Sequence, residues 1–448
     1  MIQPLILGTM FLLALAVLVY RRSGGIATLP FVCFGYLILL YIGSLDFYLR
    51  QGSNTWLHLL ACGAAFTAGI WLVPEKPSFV DEKKKVDRLL SLKLGVHPQI
   101  LCYTLAILSA LGIAISVVLL SNGEIPLFQT AVASAMIKLT KGPVGHLLTS
   151  LGYDNLSFCA LGWYVLFTIR RRKIDAVLCI TCLLLTIVFA TLVGTKVAGF
   201  YALIWITMGV SYIYRRKIKL RTFTLMALFA IPISLWATSY YIRWEVGVSP
   251  TEALWDRATT IAVEPLNFII TVWAPRYGYL HGQSFLTEIS RIIANATGAP
   301  QPVLLDEYIW GFLNTGKPDI STGLGSSLAL YGTGYANFGT VGAMVLVALF
   351  GVVCQYLNTH LLSGRSRHFL WYAVDLYLVY QLILTCWIAG MPIIALQTFL
   401  LTVVPKIVLF ILIYKFLCLP FRIPLAWTAP QDRIDRVSAA GEASKRSA

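Results

Sequence analysis

The sequence predicts an all-α polytopic membrane protein, and three observations carry that reading. Of its 448 residues, 58% are hydrophobic and only 12% are charged, whereas a soluble domain has about 45–50% apolar and about 25% charged residues. The mean hydropathy is +0.76. Apolar runs of about twenty residues, the length a helix needs to cross the hydrocarbon core, recur from end to end. A water-soluble enzyme, a disordered scaffold and a nucleic-acid-binding domain are excluded by this balance, despite a formal net charge of +15.

Taken in order between charged punctuation, the runs predict eleven spans: 2–20, 26–45, 56–74, 98–120, 146–169, 176–195, 197–214, 222–241, 335–360, 369–389 and 393–419. The first lacks a basic leading region and is followed by Arg21 and Arg22. It therefore reads as an anchor with its N-terminus outside rather than a cleaved signal. Twenty-five of the 35 Lys and Arg fall on one set of alternate connections. Nine fall on the other: Arg50, Lys138, Lys141, Lys196, Arg243, Arg257, Arg276, Arg291 and Lys317. The positive-inside rule makes the first set cytoplasmic, which puts the C-terminus there too. Spans 1–8 then occupy residues 1–241, a long outer loop 242–334, spans 9–11 residues 335–419, and a polar tail, expected to be disordered, residues 420–448. No internal repeat is visible. All nine cysteines lie in or beside apolar runs, so no disulfide framework is implied, and the Cys179–Cys182 pair reads as helix packing.

A loop as long as 242–334 is expected to be functional or disordered. This one holds Trp244, Trp255, Trp273 and Trp310, which favours a folded unit with amphipathic or re-entrant helices. Ser249-Pro250-Thr251-Glu252 is a helix start, with Ser as N-cap, Pro in the first turn and Glu at the third position. The helix it opens puts Arg257, Thr260 and Glu264 on one stripe. Glu264 stands among apolar neighbours, where a carboxylate is costly unless paired or used. It reads as half of an intrahelical ion pair, as an active-site group, or as both.

The outer cations raise one question. Lys196 sits in Val193-Gly194-Thr195-Lys196 between two spans with almost no connection, and Arg243 lies just beyond the eighth span. Each either snorkels to the interface or points into a membrane-level cavity to hold an anion. Several fixed cations around one site, Arg257, Arg276 and Arg291 included, would stabilise a departing pyrophosphate. Of the outer histidines His58, His146 and His281, only His281 lies in the long loop. It is a candidate general base near neutral pH, or simply a loop-packing residue. Asp306, Glu307 and Asp319 show no metal-ligand spacing, so neither metal nor cofactor is expected. Asp375 and Lys406 are equidistant from the Gly390–Met391 turn, which predicts a structural ion pair between antiparallel helices.

With these residues in hand, the chain resembles the Wzy-type oligosaccharide repeat-unit polymerases, the family of the O-antigen and enterobacterial common-antigen polymerases. The similarity is one of pattern and is strongest from about 120 to 345. Asn122-Gly123-Glu124-Ile125-Pro126-Leu127-Phe128 follows the fourth span, and Gly194-Thr195-Lys196 matches a glycine-x-arginine at a tight turn. Arg243 precedes the large loop, and Arg257 with Glu264 falls where the family has an arginine and a glutamate. Gly282-Gln283-Ser284-Phe285-Leu286, Lys317-Pro318 and Ser321-Thr322-Gly323 follow. The loop closes on Gly334-Tyr335-Ala336-Asn337-Phe338-Gly339-Thr340-Val341-Gly342, similar to the family's aromatic-Phe-Gly-x-x-Gly re-entry. Two departures stand out. Lys196 replaces the usual arginine and loses its bidentate geometry. Gly332-Thr333-Gly334 stands where a glutamate is often found.

The resemblance implies a GT-C-like helical bundle in the bacterial inner membrane, with its active site facing the periplasm. It implies an inverting, metal-independent glycosyl transfer. The donor would be a growing glycan on undecaprenyl pyrophosphate, and the acceptor an undecaprenyl-pyrophosphate-linked repeat unit. A chain-length regulator is a further candidate partner. Lys196, Arg243, Arg257, Arg276 and Arg291 would hold pyrophosphate, and Glu264 or His281 would act as base, with Glu264 preferred for its apolar setting. An O-antigen-ligase-like transferase or a lipid-linked-sugar flippase is the alternative.

Overall fold

The computed structural model describes residues 2–74, 97–121, 125–129, 142–193, 198–214, 249–258, 260–316, 326–362 and 382–419, with isolated positions between 218 and 239 and between 374 and 379. All regular elements among them are helical. In chain order they are α1 (Ile2–Ser23), α2 (Leu29–Gln51), α3 (Thr55–Leu72), α4 (Pro98–Ser121), α5 (Gly142–Leu151), α6 (Tyr153–Arg170), α7 (Lys173–Leu192) and α8 (Ala198–Tyr214). The long loop supplies α9 (Pro250–Ala258), α10 (Thr260–Phe268), a π-helical turn (Ile269–Trp273), α11 (Ala274–Tyr277), α12 (Gln283–Thr297) and α13 (Leu305–Thr315). The chain then forms α14 (Ala329–Leu362), a second π-helical segment (Leu382–Ile388) and α15 (Pro392–Cys418).

Seven of the described helices are long and apolar enough to cross a membrane: α1, α2, α3, α4, α7, α14 and α15. They make this an all-α protein of membrane-embedded character. The expected span 222–241, the loop from 75 to 96 and the tail from 420 lie largely or wholly outside the described residues, and the expected span 369–389 lies partly outside them. The run 146–169, expected to be one span, is instead two helices, α5 and α6, which meet at Gly152.

The core is assembled around α3 and α14, which cross so closely that backbone meets backbone. A Cβ at Gly69 would stand 2.0 Å from the Ala348 carbonyl oxygen, and one at Gly351 would stand 2.5 Å from that of Phe66. Small residues permit this approach, and dispersion contacts then replace the hydrophobic drive that lipid does not supply. Beside the crossing, the Trp387 ring stacks on Phe350 at 5.0 Å and packs against Phe66 at the same distance. Its indole N–H donates to the Cys33 carbonyl at 2.9 Å, which ties the second π segment to α2. Outward faces of the same helices carry exposed Leu and Val, such as Val341, Leu349, Leu396 and Leu412. In water that surface would drive aggregation; against lipid it is satisfied.

Lys406 has a neighbour that the expected Asp375–Lys406 pair did not include. Lys406 is buried, and its ammonium stands 4.0 Å from Asp154 Oδ2 on α6. Asp375 has interactions of its own.

Candidate functional site

The long loop is folded, and its own small core explains how. Ile269, Trp273, Ile309, Leu328 and Ala336 are buried together, with Phe268, Tyr308 and Phe312 packed against them. Trp273 meets Tyr277 at 4.8 Å and Tyr308 at 5.3 Å between ring centroids. Of the tryptophans expected to fold the loop, Trp273 does so, whereas Trp255 is exposed. The predicted helix start is present: the Ser249 hydroxyl accepts the Glu252 N–H at 3.1 Å at the head of α9.

Two polar clusters fasten this unit to the membrane helices. Asn267 on α10 accepts hydrogen bonds through Oδ1 from the hydroxyls of Ser53 and Thr55, at the start of α3. In the second cluster, Asn337 of α14 is buried. Its amide donates to Ser284 Oγ at 2.6 Å and to the Thr333 carbonyl at 2.8 Å, while its Oδ1 accepts the Gly282 N–H at 3.0 Å. The backbone N–H groups of Leu280 and His281 donate to the carbonyls of Ala336 and Asn337, both at 2.9 Å. These bonds dock the turn Gly278–Gly282 onto the segment read as the loop's re-entry. There α14 breaks at Gly339, whose φ of 70° suits glycine and whose missing side chain makes room for the Tyr279 ring, 3.1 Å from where a Cβ would stand.

The docked turn is the exposed, chemically varied part of the loop. Arg276, Tyr277, Tyr279 and His281 are all exposed within six consecutive positions. The Arg276 guanidinium lies 5.6 Å from the Tyr277 ring centre. Tyr279 packs edge-on against Tyr335 at 6.0 Å, and Tyr335 in turn against His58 of α3 at 5.0 Å. His281 holds a φ of 50°, the left-handed region that non-glycine residues seldom occupy. Such strain persists only where surrounding bonds enforce it, as the Asn337 contacts do here, and it concentrates at functional sites.

The other predicted site residues divide by environment. Glu264 is exposed on α10, so the burial suggested by its apolar neighbours is not found; Val263, Leu266 and Asn267 take the buried positions instead. Arg291 is engaged in structure. It donates to both oxygens of Glu307, at 2.8 and 3.3 Å, and to the Pro302 carbonyl at 2.7 Å. Glu307 Oε2 also accepts the Leu304 N–H at 3.0 Å, which caps α13. A guanidinium held this way is bidentate to a carboxylate already and has little left for a phosphate. Lys196, Arg243, Lys317, Asp319 and the Arg257 side chain lie outside the described residues.

Sequence reasoning did not single out Glu288. It lies on the buried side of α12, and its Oε2 accepts the N–H groups of Ile393 and Ile394, at 2.8 and 3.0 Å, at the N-terminus of α15. A carboxylate there satisfies donors that a helix start leaves open and complements the helix dipole. Burial nevertheless dominates and pushes its pKa up to about 7. Glu288 shares a narrow crevice with Ser284, Asp306, Thr333 and Gly390. Burial, aided by the Glu307 charge, likewise raises Asp306 to about 7, and its Oδ1 has no hydrogen-bond partner. Among the described residues, no group of three or more His, Cys, Asp and Glu is placed to hold a metal ion.

Fold and loop together define a helical membrane protein with a folded loop unit that presents cationic, aromatic and imidazole groups beside the membrane helices. Compared with protein-family models, curated proteins and solved structures, the chain matches none.

Proposed function

We propose that this chain is a membrane glycosyltransferase of the repeat-unit polymerase kind, with eleven spans and its long loop on the periplasmic face of a bacterial inner membrane. The observation that carries the reading is the exposed turn from Arg276 to His281. A cation, two tyrosine rings and an imidazole are exposed there on a segment whose backbone is hydrogen-bonded to α14. Tyrosine faces suit sugar rings, and a guanidinium suits phosphate.

In the proposed reaction, a hydroxyl at the non-reducing end of an incoming lipid-linked repeat unit attacks the anomeric carbon of the growing glycan. The new C–O bond forms as the bond from that carbon to pyrophosphate oxygen breaks. The leaving oxygen keeps the electron pair, and the hydroxyl proton passes to Glu264 or His281. Because pyrophosphate departs as a stabilised anion, a general acid is dispensable, and cations supply the electrostatic stabilisation. Arg276, Lys196, Arg243 and Arg257 are assigned to it. Arg291 is reassigned to holding the loop, because its donors are engaged by Glu307 and Pro302.

Deletion and complementation in the source bacterium test the reading, with surface polysaccharide resolved on a gel. Loss of the long ladder with single-repeat product retained is the polymerase outcome. Loss of all attached glycan would point to a ligase or flippase. Lys196→Ala, Arg243→Ala, Glu264→Gln and Arg276→Ala are each expected to shorten the chains while the protein still inserts. Full chain length from all four would sink the site assignment.

A further inference from the structure

Helix α12 is amphipathic in the wrong sense for a helix lying against water. Both of its charged residues and Ser284 face inward: Glu288 caps α15, Arg291 holds Glu307, and Ser284 meets Asn337, while the uncharged Gln283, Ser290 and Thr297 are exposed. Its exposed residues include Leu286, Ile289 and Ile293, at 63%, 41% and 57% accessibility. At about 100° per residue, these three fall within about 60° of arc, and Ser284, Glu288 and Arg291 fall within about 60° on the opposite side. Glu288 and Arg291 are the only charged residues of the helix, and both are engaged in the protein interior.

The position of the helix says what meets the apolar stripe. Through Glu288, its middle sits within hydrogen-bond distance of the first turn of α15. Through the Phe285–Phe338 ring contact at 6.2 Å, its start adjoins the break in α14. Beyond those two contacts, α14 and α15, both long and apolar enough to cross a membrane, present the exposed apolar residues Val341, Val345 and Leu396. The stripe therefore lies beside the exposed apolar surface of two helices of membrane-spanning length.

We infer that α12 is an interfacial helix, seated with Leu286, Ile289 and Ile293 in the acyl chains of the leaflet on the loop side of the membrane. The inverted pattern is what such a site demands. Polar groups are satisfied by protein on one side, and apolar groups by lipid on the other. Gly282, the residue before α12, ends the exposed Arg276–His281 turn, so the helix sets that turn at headgroup depth. The inference rests on the membrane-embedded character of the chain and stands whether or not the proposed chemistry does.

Nitroxide labels at L286C, I289C and I293C, in protein reconstituted into phosphatidylethanolamine–phosphatidylglycerol nanodiscs, test it. The native cysteines are buried except for the half-buried Cys102, which is replaced by alanine for the purpose. Each label is expected to collide preferentially with oxygen over a water-soluble nickel chelate, as a label at the lipid-facing Leu412 does. Chelate access like that of free label in buffer overturns the inference. So does shielding from both reagents, which would mean that a partner protein or a second copy covers the stripe. The unmodified chain gives an independent readout. A diazirine-bearing phospholipid should tag the peptide 283–297, and tags confined to the spans would also overturn the proposal.

Discussion

Glu288→Gln is predicted to stabilise the protein at alkaline pH. The wild-type carboxyl accepts two backbone N–H groups at the head of α15, which favours its ionised form, but it is only 3% exposed. Burial dominates, and the pKa rises from the ordinary 4.5 to about 7. The sign follows from linkage. A carboxyl whose folded pKa lies above its unfolded one binds its proton more tightly in the folded state. That contribution is fully present below about pH 4.5 and is lost as pH rises through about 7. At about 1.36 kcal/mol per pH unit the span is worth about 3 kcal/mol. Solvent reaching the crevice screens part of it, which leaves about 1–3 kcal/mol.

Glutamine keeps an oxygen acceptor for Ile393 and Ile394 and removes the titration. Thermal unfolding in detergent, followed by tryptophan fluorescence from pH 5 to pH 8, is the assay. Wild-type protein should lose stability across that window. Glu288→Gln should lose less, by a difference of a few degrees in midpoint. A step belonging to Asp306, raised from 3.8 to about 7 by its own burial, should remain. Adding Asp306→Asn should flatten it further. Parallel wild-type and Glu288→Gln profiles would refute the reasoning, because Glu288 would then titrate outside the window.

Arg291→Ala should destabilise the α12–α13 unit by about 2–4 kcal/mol, because it leaves the Glu307 carboxylate buried without its counter-ion. Arg291→Lys should recover only part, since an ammonium cannot make the bidentate pair. Limited proteolysis within 283–315 measures both, and an unchanged cleavage rate for Arg291→Ala would show that the pair contributes nothing. Gly351→Ala should cost about 1–3 kcal/mol or more, because the new methyl meets the Phe66 carbonyl at 2.5 Å and the helices must part. Gly35→Ala, with nothing within 4 Å of the added carbon, is the control and should leave the melting point within a degree or so of wild type.

Seven helices of membrane-spanning length were legible because that length is set by the bilayer and hydropathy reports it directly, whereas the break at Gly152 within 146–169 left no mark on hydropathy. The start of α9 was legible because a cap is a local interaction: Ser249 and Glu252 are three residues apart. The errors lie where an outcome depends on geometry that the pattern does not encode. Asp154, the partner found for Lys406, lies on α6 far away in the sequence, with no pattern to link the two. The role of Arg291 turned on Glu307, sixteen residues away on another helix, with no periodicity to link them. Glu288 was missed for the same reason, since the donors that it satisfies belong to α15, more than a hundred residues on.

That contrast also sorts the loop charges by what they are free to do. A buried charge can bind an incoming anion or carboxylate only by breaking the bonds that already hold it, and the cost of leaving its partner unpaired sets itself against catalysis. Arg291 and Glu288 are in that position, each clamped to a backbone group and to a helix terminus or a carboxylate. Arg276, His281 and Glu264 are not: all three are exposed, and two of them ride on a segment held by backbone hydrogen bonds and by the Tyr279 ring rather than by their own side chains. The side chains that hold the loop and the side chains open to a substrate are therefore different sets. This separation lets the turn be held in place while its exposed groups stay uncommitted, which is the condition that the proposed stabilisation of a departing pyrophosphate requires.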